Sequence, residues 1–150
     1  ENVEYFERCA SAAEGYNIDV KKDLSFNELQ QLYRRAAMIW QFTGFETDFG
    51  HRPEECEHLG LVAQDGFAYG TLPTVFHRSG IAYEIAHGQN GFVFSDLSEL
   101  EEIMRIMAAN FGGPMHKYWL EQSKQKASEF SFDEFQSEVR EALGYQTNQL

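Results

Sequence analysis

The sequence predicts an α/β fold in which helices flank a parallel sheet. Short apolar runs alternate along the chain with amphipathic segments, and glycine, proline or polar residues separate them. The run at residues 38–40 has no polar alternation, which is typical of a strand buried on both faces of a parallel sheet. Because strands that alternate with helices are joined by right-handed crossovers, we expect the strands to be parallel.

The first elements are predicted from helical spacing and helix-start signals. Apolar residues at helical spacing indicate an amphipathic helix over residues 2–13. Residues 17–20 are a candidate strand. Ser25 and Glu28 form a capping box that opens a second helix, which we expect to end near Ala36.

The rest of the chain continues the alternation after a polar loop at residues 43–58. Ser95 or Asp96 is expected to cap one helix, and Ser131 to cap the last. The order is helix, strand, short helix, strand and three helices, expected at residues 60–69, 74–77, 81–86, 92–94, 97–107, 116–130 and 132–143. The chain is therefore predicted to be one domain over residues 1–150, with residues 114–150 as a helical C-terminal tail.

Composition restricts the class of protein. A chain of 150 residues that is 43% hydrophobic can bury a core. Its net charge of −12 argues against nucleic acid and anionic membrane surfaces as partners, and no apolar run is long enough for a transmembrane helix. Cys9 and Cys56 are too few for a disulfide framework, so we expect a cytoplasmic location. The acidic start without Met or signal peptide suggests a processed chain or a fragment.

Residues 57–75 contain the most informative pattern of the chain. Glu57 and Gly60 precede a short apolar helix, and Asp65 follows Glu57 by eight residues. Free N–H groups at a helix N-terminus bind phosphate, and carboxylates accept hydrogen bonds from sugar hydroxyls. Since ligands bind at the carboxyl ends of parallel strands, we expect the loops at residues 43–59 and 77–81 to form a site for a polyhydroxylated, phosphate-bearing ligand.

This pattern resembles the E-x7-E donor-binding signature of family-4-type retaining glycosyltransferases of the GT-B architecture. Four further segments resemble other motifs of that family in the same order, and the resemblance covers roughly residues 24–110; these segments are residues 26–36, 37–45, 79–85 and 89–94. The resemblance implies a Rossmann-like, nucleotide-sugar-binding C-terminal domain. It also implies that the first two βα units and the N-terminal acceptor-binding domain are missing.

By this resemblance Glu57 is the catalytic residue, which contacts the transferred sugar and stabilises an oxocarbenium-like transition state. Asp65 takes the place of a longer Glu that binds the ribose. The other predicted donor-binding residues offer backbone N–H groups, pocket walls or a cation: His58, Leu59, Gly60, Leu61, Val62, Thr43, Gly44 and Arg78.

Simpler interpretations of the same residues stay open. Glu57 can be an ordinary acid near a helix start, and Asp65 a solvated helix acid. Arg78 can form a surface ion pair. Leu61 and Val62 are expected to be mostly core under either interpretation.

The leading hypothesis is the donor-binding part of a glycosyltransferase that moves a sugar from a nucleotide diphosphate sugar to a glycan or other acceptor. No cofactor beyond the donor and no metal is expected, because the chain has no spaced Cys or His motif. The alternative is a catalytically degenerate domain that serves binding or assembly. We expect the isolated chain to be inactive and to self-associate through exposed strand edges.

Overall fold

The computed structural model of the chain describes residues 2–144. The chain divides into two compact units, Glu1–Leu32 and Tyr33–Leu150. A single domain over the whole chain therefore stays a prediction. The last part of the predicted C-terminal tail, residues 145–150, lies outside the described residues.

The first unit contains helix α1 (Asn2–Ala13), at the predicted place. The predicted strand at residues 17–20 is wrong, because these residues have no regular structure. Ile18 in this segment is 60% exposed. A strand is stable only beside partner strands, and among the described residues none pairs with this segment.

Helix α2 (Phe26–Arg35) begins with the predicted capping box. The N–H and the hydroxyl of Ser25 donate to Glu28 Oε2 at 2.8 and 2.6 Å. In return, the Glu28 N–H donates to Ser25 Oγ at 3.4 Å. These bonds satisfy groups that the start of a helix leaves without intrahelical partners.

The second unit contains a three-stranded parallel sheet, which confirms the predicted α/β class and a Rossmann-like partial domain. Strands β1 (Met38–Gln41), β2 (Leu72–Phe76) and β3 (Phe92–Phe94) lie in the order β1-β2-β3. Every residue of the central strand β2 is buried. Within the described residues β1 pairs only with β2, so its outer edge has no strand beside it.

Four helices accompany the sheet, and the last two form the predicted C-terminal helical segment. They are α3 (Leu61–Tyr69), α4 (Leu97–Asn110), α5 (Pro114–Glu129) and α6 (Phe132–Ala142). Asp96 and Ser131 cap α4 and α6 by accepting the N–H groups of Glu99 and Glu134. In residues 2–144 no helix combines the length and apolar character needed to cross a membrane.

The core lies on both faces of the sheet because successive side chains of β2 point to opposite faces. On one face Leu72 and Phe76 pack with residues of β3, α4 and α5, namely Phe92, Phe94, Leu100, Ile103, Met107 and Trp119. On the other face Val75 packs with Ala63, Phe67, Ile81 and Ile85. The sheet is thereby fixed between α3 on one side and α4 on the other.

A buried polar connection joins distant parts of the second unit at the start of β2. The Thr71 hydroxyl donates to the carbonyl of Tyr33 at 2.9 Å. The Ser123 hydroxyl donates to the carbonyl of Thr71 at 3.1 Å. Since Thr71 and Ser123 are fully buried, these bonds satisfy groups that water cannot reach.

Candidate functional site

The loops that follow β1 and β2 meet directly at the carboxyl edge of the sheet. The N–H of Gly80 donates to the Glu57 carbonyl at 2.7 Å. A Cβ on Gly80 would lie 1.9 Å from the carbonyl oxygen of His58, and one on Gly60 would lie 2.6 Å from Ile81 Cβ. Gly60 also has a left-handed φ of +71°. Only glycine fits at these two positions, and the contact brings the predicted loops together.

The carboxylate of Glu57 is held by three donors. Its Oε1 accepts from the N–H groups of Leu59 at 3.2 Å and Gly60 at 2.9 Å. Its Oε2 accepts from Nε2 of Gln41 at 2.7 Å. These bonds, with the Gly60 N–H foremost, lower the pKa of Glu57 against the opposing effect of burial. Because a carboxylate has about four acceptor positions, one position on Oε2 remains for a ligand.

A pocket of about 450 Å³ opens beside Glu57. Both loops contribute to its walls, which are formed by Phe49, Pro53, Cys56, Glu57, His58, His77, Arg78, Gly80 and Tyr83. Three of the predicted site residues, Glu57, His58 and Arg78, therefore come together at one pocket. Its position at the carboxyl end of parallel strands is where ligands bind in this class of fold.

Arg78 is exposed and available to an anion. Its Nε donates to His77 Nε2 at 3.3 Å, and its guanidinium carbon lies 5.5 Å from the centre of the Phe49 ring. None of the salt bridges in residues 2–144 includes Arg78, so the ion pair considered from the sequence does not form. Arg52, in contrast, pairs with Glu55 at 2.9 Å. The terminal nitrogens of Arg78 remain free to bind a phosphate as a planar fork.

Two groups of predicted residues lie away from this pocket. Thr43 is exposed in the loop after β1. The neighbouring Gly44 is buried at φ +87°, and a Cβ there would lie 2.8 Å from Cys56 Sγ. Asp65 lies near Tyr33, and burial together with the negative charge of Asp65 raises the pKa of Tyr33. None of Thr43, Gly44 and Asp65 contributes to the pocket wall.

The start of α3 differs from the prediction that its backbone N–H groups are free for a ligand and that Leu61 and Val62 are core. The N–H groups of Leu59 and Gly60 donate to Glu57, whereas those of Leu61 and Val62 have no acceptor among the described residues. The prediction that Leu61 and Val62 are mostly core is wrong, since their side chains are 64% and 42% exposed. The reason is that α3 turns Ala63, Gly66 and Phe67 toward the interior.

Gln41, Phe49 and Tyr83 are among the residues of the site that sequence reasoning did not find. Gln41 holds Glu57, and Phe49 and Tyr83 line the pocket. The available signals were a polar residue at the end of an apolar strand and an aromatic residue inside a polar loop. The side chain of Tyr83 is 94% exposed at the pocket, which leaves its ring free for a ligand.

The His- and Cys-containing stretch at residues 51–58 is divided between separate contacts. His51 Nδ1 lies 2.7 Å from Asp48 Oδ2, and Cys56 is buried beside Gly44. Over residues 2–144 no three His, Cys, Asp or Glu side chains are arranged to hold a metal ion.

Comparison of the chain with known protein families finds no family that matches it, and comparison with curated proteins finds no significant similarity. The glycosyltransferase resemblance therefore stays an interpretation of the motifs.

Proposed function

We propose that this chain is the donor-binding part of a retaining glycosyltransferase, which moves a sugar from a nucleotide diphosphate sugar to a glycan or other acceptor. One observation carries the proposal. A fixed carboxylate, Glu57, and an unpaired guanidinium, Arg78, face the same pocket at the carboxyl edge of a parallel sheet.

The two charges suit the two halves of such a donor. A diphosphate needs a cation to enter a protein of net charge −12, and Arg78 supplies one locally. The open acceptor position of Glu57 suits a sugar hydroxyl. The pocket thus offers one positive group for the leaving diphosphate and one negative group for the sugar.

Glu57 acts by charge in this proposal and not by transferring a proton. Its lowered pKa keeps it ionised at neutral pH, so it is a poor general acid. A fixed negative charge near the anomeric carbon stabilises the positive charge that develops there as the diphosphate leaves. The acceptor is held by a further domain, and the donor is the only small molecule required. We also propose a cytoplasmic location, in keeping with the free thiols of Cys9 and Cys56.

A second candidate is a catalytically degenerate domain that binds a nucleotide sugar or assembles with a partner without transfer. The position of Asp65 favours it, because the carboxylate expected at the ribose lies beside Tyr33 instead. The use of two helix-start N–H groups by Glu57 also reduces the donors available to a phosphate.

Calorimetric titration of the chain with uridine, guanosine and adenosine diphosphate sugars tests the binding step. We expect one class to bind and the substitution Arg78→Ala to weaken binding by about tenfold or more, the cost of losing charge-assisted hydrogen bonds. Arg140→Ala removes the same charge from exposed α6 and is the matched control. If both variants weaken binding equally, the effect comes from the net charge of the protein and not from a contact of Arg78 with the donor. If no donor binds, the proposal is rejected.

Transfer assays on the longest natural form of the protein separate the two candidates. The enzyme hypothesis expects Glu57→Ala to abolish transfer while nucleotide binding persists. Binding without transfer by the unaltered protein, tested with several acceptors, would favour the degenerate domain.

A further inference from the structure

We propose that Gln41 is a positioning residue that holds the Glu57 carboxylate in the one orientation useful at the pocket. The role as a partner of a catalytic group rests on the proposed function, whereas the fixing of Glu57 by Gln41 can be tested without it. Sequence reasoning assigned Gln41 no role.

The backbone of Gln41 is fixed by the sheet. Gln41 is the last residue of β1, and it lies in register with Val75 of the fully buried strand β2. Its side chain is only 6% exposed. The amide therefore starts from a rigid position at the carboxyl end of the strand, and packing limits its rotation.

Among the described residues the amide makes one hydrogen bond, and that bond goes to Glu57. Nε2 donates to Glu57 Oε2 at 2.7 Å across sixteen residues of sequence. Oε1 is buried and has no partner among the described residues. A buried amide oxygen without a partner destabilises the fold. The amide of Gln41 therefore contributes through the N–H group that it donates to Glu57.

The bond also fixes the orientation of the Glu57 oxygen that can meet a ligand. Oε1 is occupied by two backbone N–H groups, so Oε2 is the oxygen with an open acceptor position. Without the Gln41 donor nothing from the sheet holds Oε2, and the carboxylate can turn about its terminal bond. A loss of orientation of this kind affects the transition state more than the binding of the donor.

The primary experiment is an NMR titration of the Glu57 carboxyl carbon in the labelled, ligand-free full chain. Gln41→Met keeps the length of the side chain and removes the donor. We expect the titration midpoint of Glu57 to move upward in this variant, because a donor to the charged form is lost. The other charged or titratable side chains at the pocket are unchanged, so the shift reports the Gln41 bond; they are Cys56, His58, His77, Arg78 and Tyr83.

Thr74→Val is the matched control. Thr74 is a fully buried residue of β2 whose hydroxyl also lacks a partner among the described residues, and it has no bond to Glu57. This variant should leave the Glu57 midpoint unchanged. Should Gln41→Met not fold, Gln41→Asn gives the same test, since its shorter amide cannot reach Oε2. A folded Met or Asn variant with the wild-type midpoint would overturn the assignment.

The second readout uses the longest natural form of the protein and its nucleotide sugar. We expect Gln41→Met to lower kcat by about tenfold or more and to leave KM nearly unchanged, because the lost bond is charge-assisted. A shifted midpoint without any donor binding would uphold the link between Gln41 and Glu57 and reject the proposed function. An unshifted midpoint in a protein that binds the donor would reject the link between Gln41 and Glu57 and leave the proposed function supported.

Discussion

Helices α3 and α4 both begin beside a glutamate that accepts backbone hydrogen bonds, but they use it differently. At α4 the carboxylate of Glu99 accepts from the N–H and hydroxyl of Ser95 at 2.7 and 2.6 Å, and Asp96 caps the helix. All three residues are exposed and lie within four positions of one another in sequence. At α3 the N-cap residue is Gly60, which has no side chain, and Glu57 is held from the distant strand β1.

The difference shows which property marks a functional carboxylate. The pKa values of Glu99 and Glu57 are both lowered, by the Ser95 hydroxyl in one case and by the Gly60 N–H in the other. A lowered pKa is therefore shared by a simple helix cap and by a pocket residue. Only Glu57 combines it with partial burial, a bond to a strand and a place in a pocket wall.

The largest expected effect concerns the glycine that replaces a side-chain cap at α3. Gly60→Ala places an alanine in the left-handed conformation, which lowers the free energy of unfolding by about 1–2 kcal/mol. The new Cβ also clashes with Ile81, which lowers it by about a further 1–3 kcal/mol. Gly112→Ala is the matched control, since Gly112 has φ +73° and nothing within 4 Å of its Cβ position. Urea unfolding should show a clearly greater loss of stability for Gly60→Ala than for Gly112→Ala. Equal losses would mean that the two loops do not meet as described.

The next effect is the removal of the Glu57 carboxylate. Glu57→Ala leaves the donors of Gln41, Leu59 and Gly60 without their acceptor. We expect the free energy of unfolding to fall by about 1.5–3 kcal/mol, the range for hydrogen bonds to a charged group. Chemical denaturation measures this loss of stability, and calorimetry checks that nucleotide binding persists. A variant as stable as the wild type would show that these bonds are replaced by water without cost.

A smaller effect is expected at α4. Asp96→Ala removes an N-cap and should lower the free energy of unfolding by about 1 kcal/mol. Donor affinity should stay unchanged, because Asp96 does not line the pocket. If donor binding weakens together with stability, the separation between a helix cap and a pocket carboxylate drawn above is wrong.

The smallest effect is the dependence of stability on pH. The folded pKa of Glu57 lies below its ordinary value of 4.5, so its contribution is fully present above that pH and is lost as the pH falls through the lower folded value. In Glu57→Gln, stability should therefore decline less steeply as the pH falls below 4.5. Glu99→Gln, a carboxylate in an exposed cap, is the comparison. Unfolding curves recorded at several acid pH values measure the slopes, and a Glu57→Gln slope equal to that of the wild type would contradict the assignment.

Local signals account for the parts of the fold that the sequence predicts well. Ser25 with Glu28, Asp96 and Ser131 act on backbone groups within three residues, so each cap is visible in a short window. The three strands of the sheet are short, mostly apolar runs, although β2 begins two residues before its predicted start and contains Pro73. The prediction of a strand at residues 17–20 was wrong because a strand depends on a neighbouring strand. A local sequence pattern does not show whether such a neighbour is present.

The site was predicted less completely because its geometry is set by distant contacts. Gln41 and Glu57 are sixteen residues apart, and only the fold brings them together. The spacing of Glu57 and Asp65 gave no indication that Asp65 lies beside Tyr33. Leu61 and Val62 belong to an apolar run, and hydropathy does not determine which side of a short helix faces the sheet.

The buried connection at Thr71 has a consequence for the order of folding. It joins Tyr33 and Ser123 to one residue through contacts that span 38 and 52 residues of chain. Each bond needs its own long loop to close, at the corresponding entropic cost, before the hydroxyl finds its acceptor. We therefore expect these bonds to form after the rate-limiting step. Thr71→Val should then accelerate unfolding while leaving the refolding rate nearly unchanged.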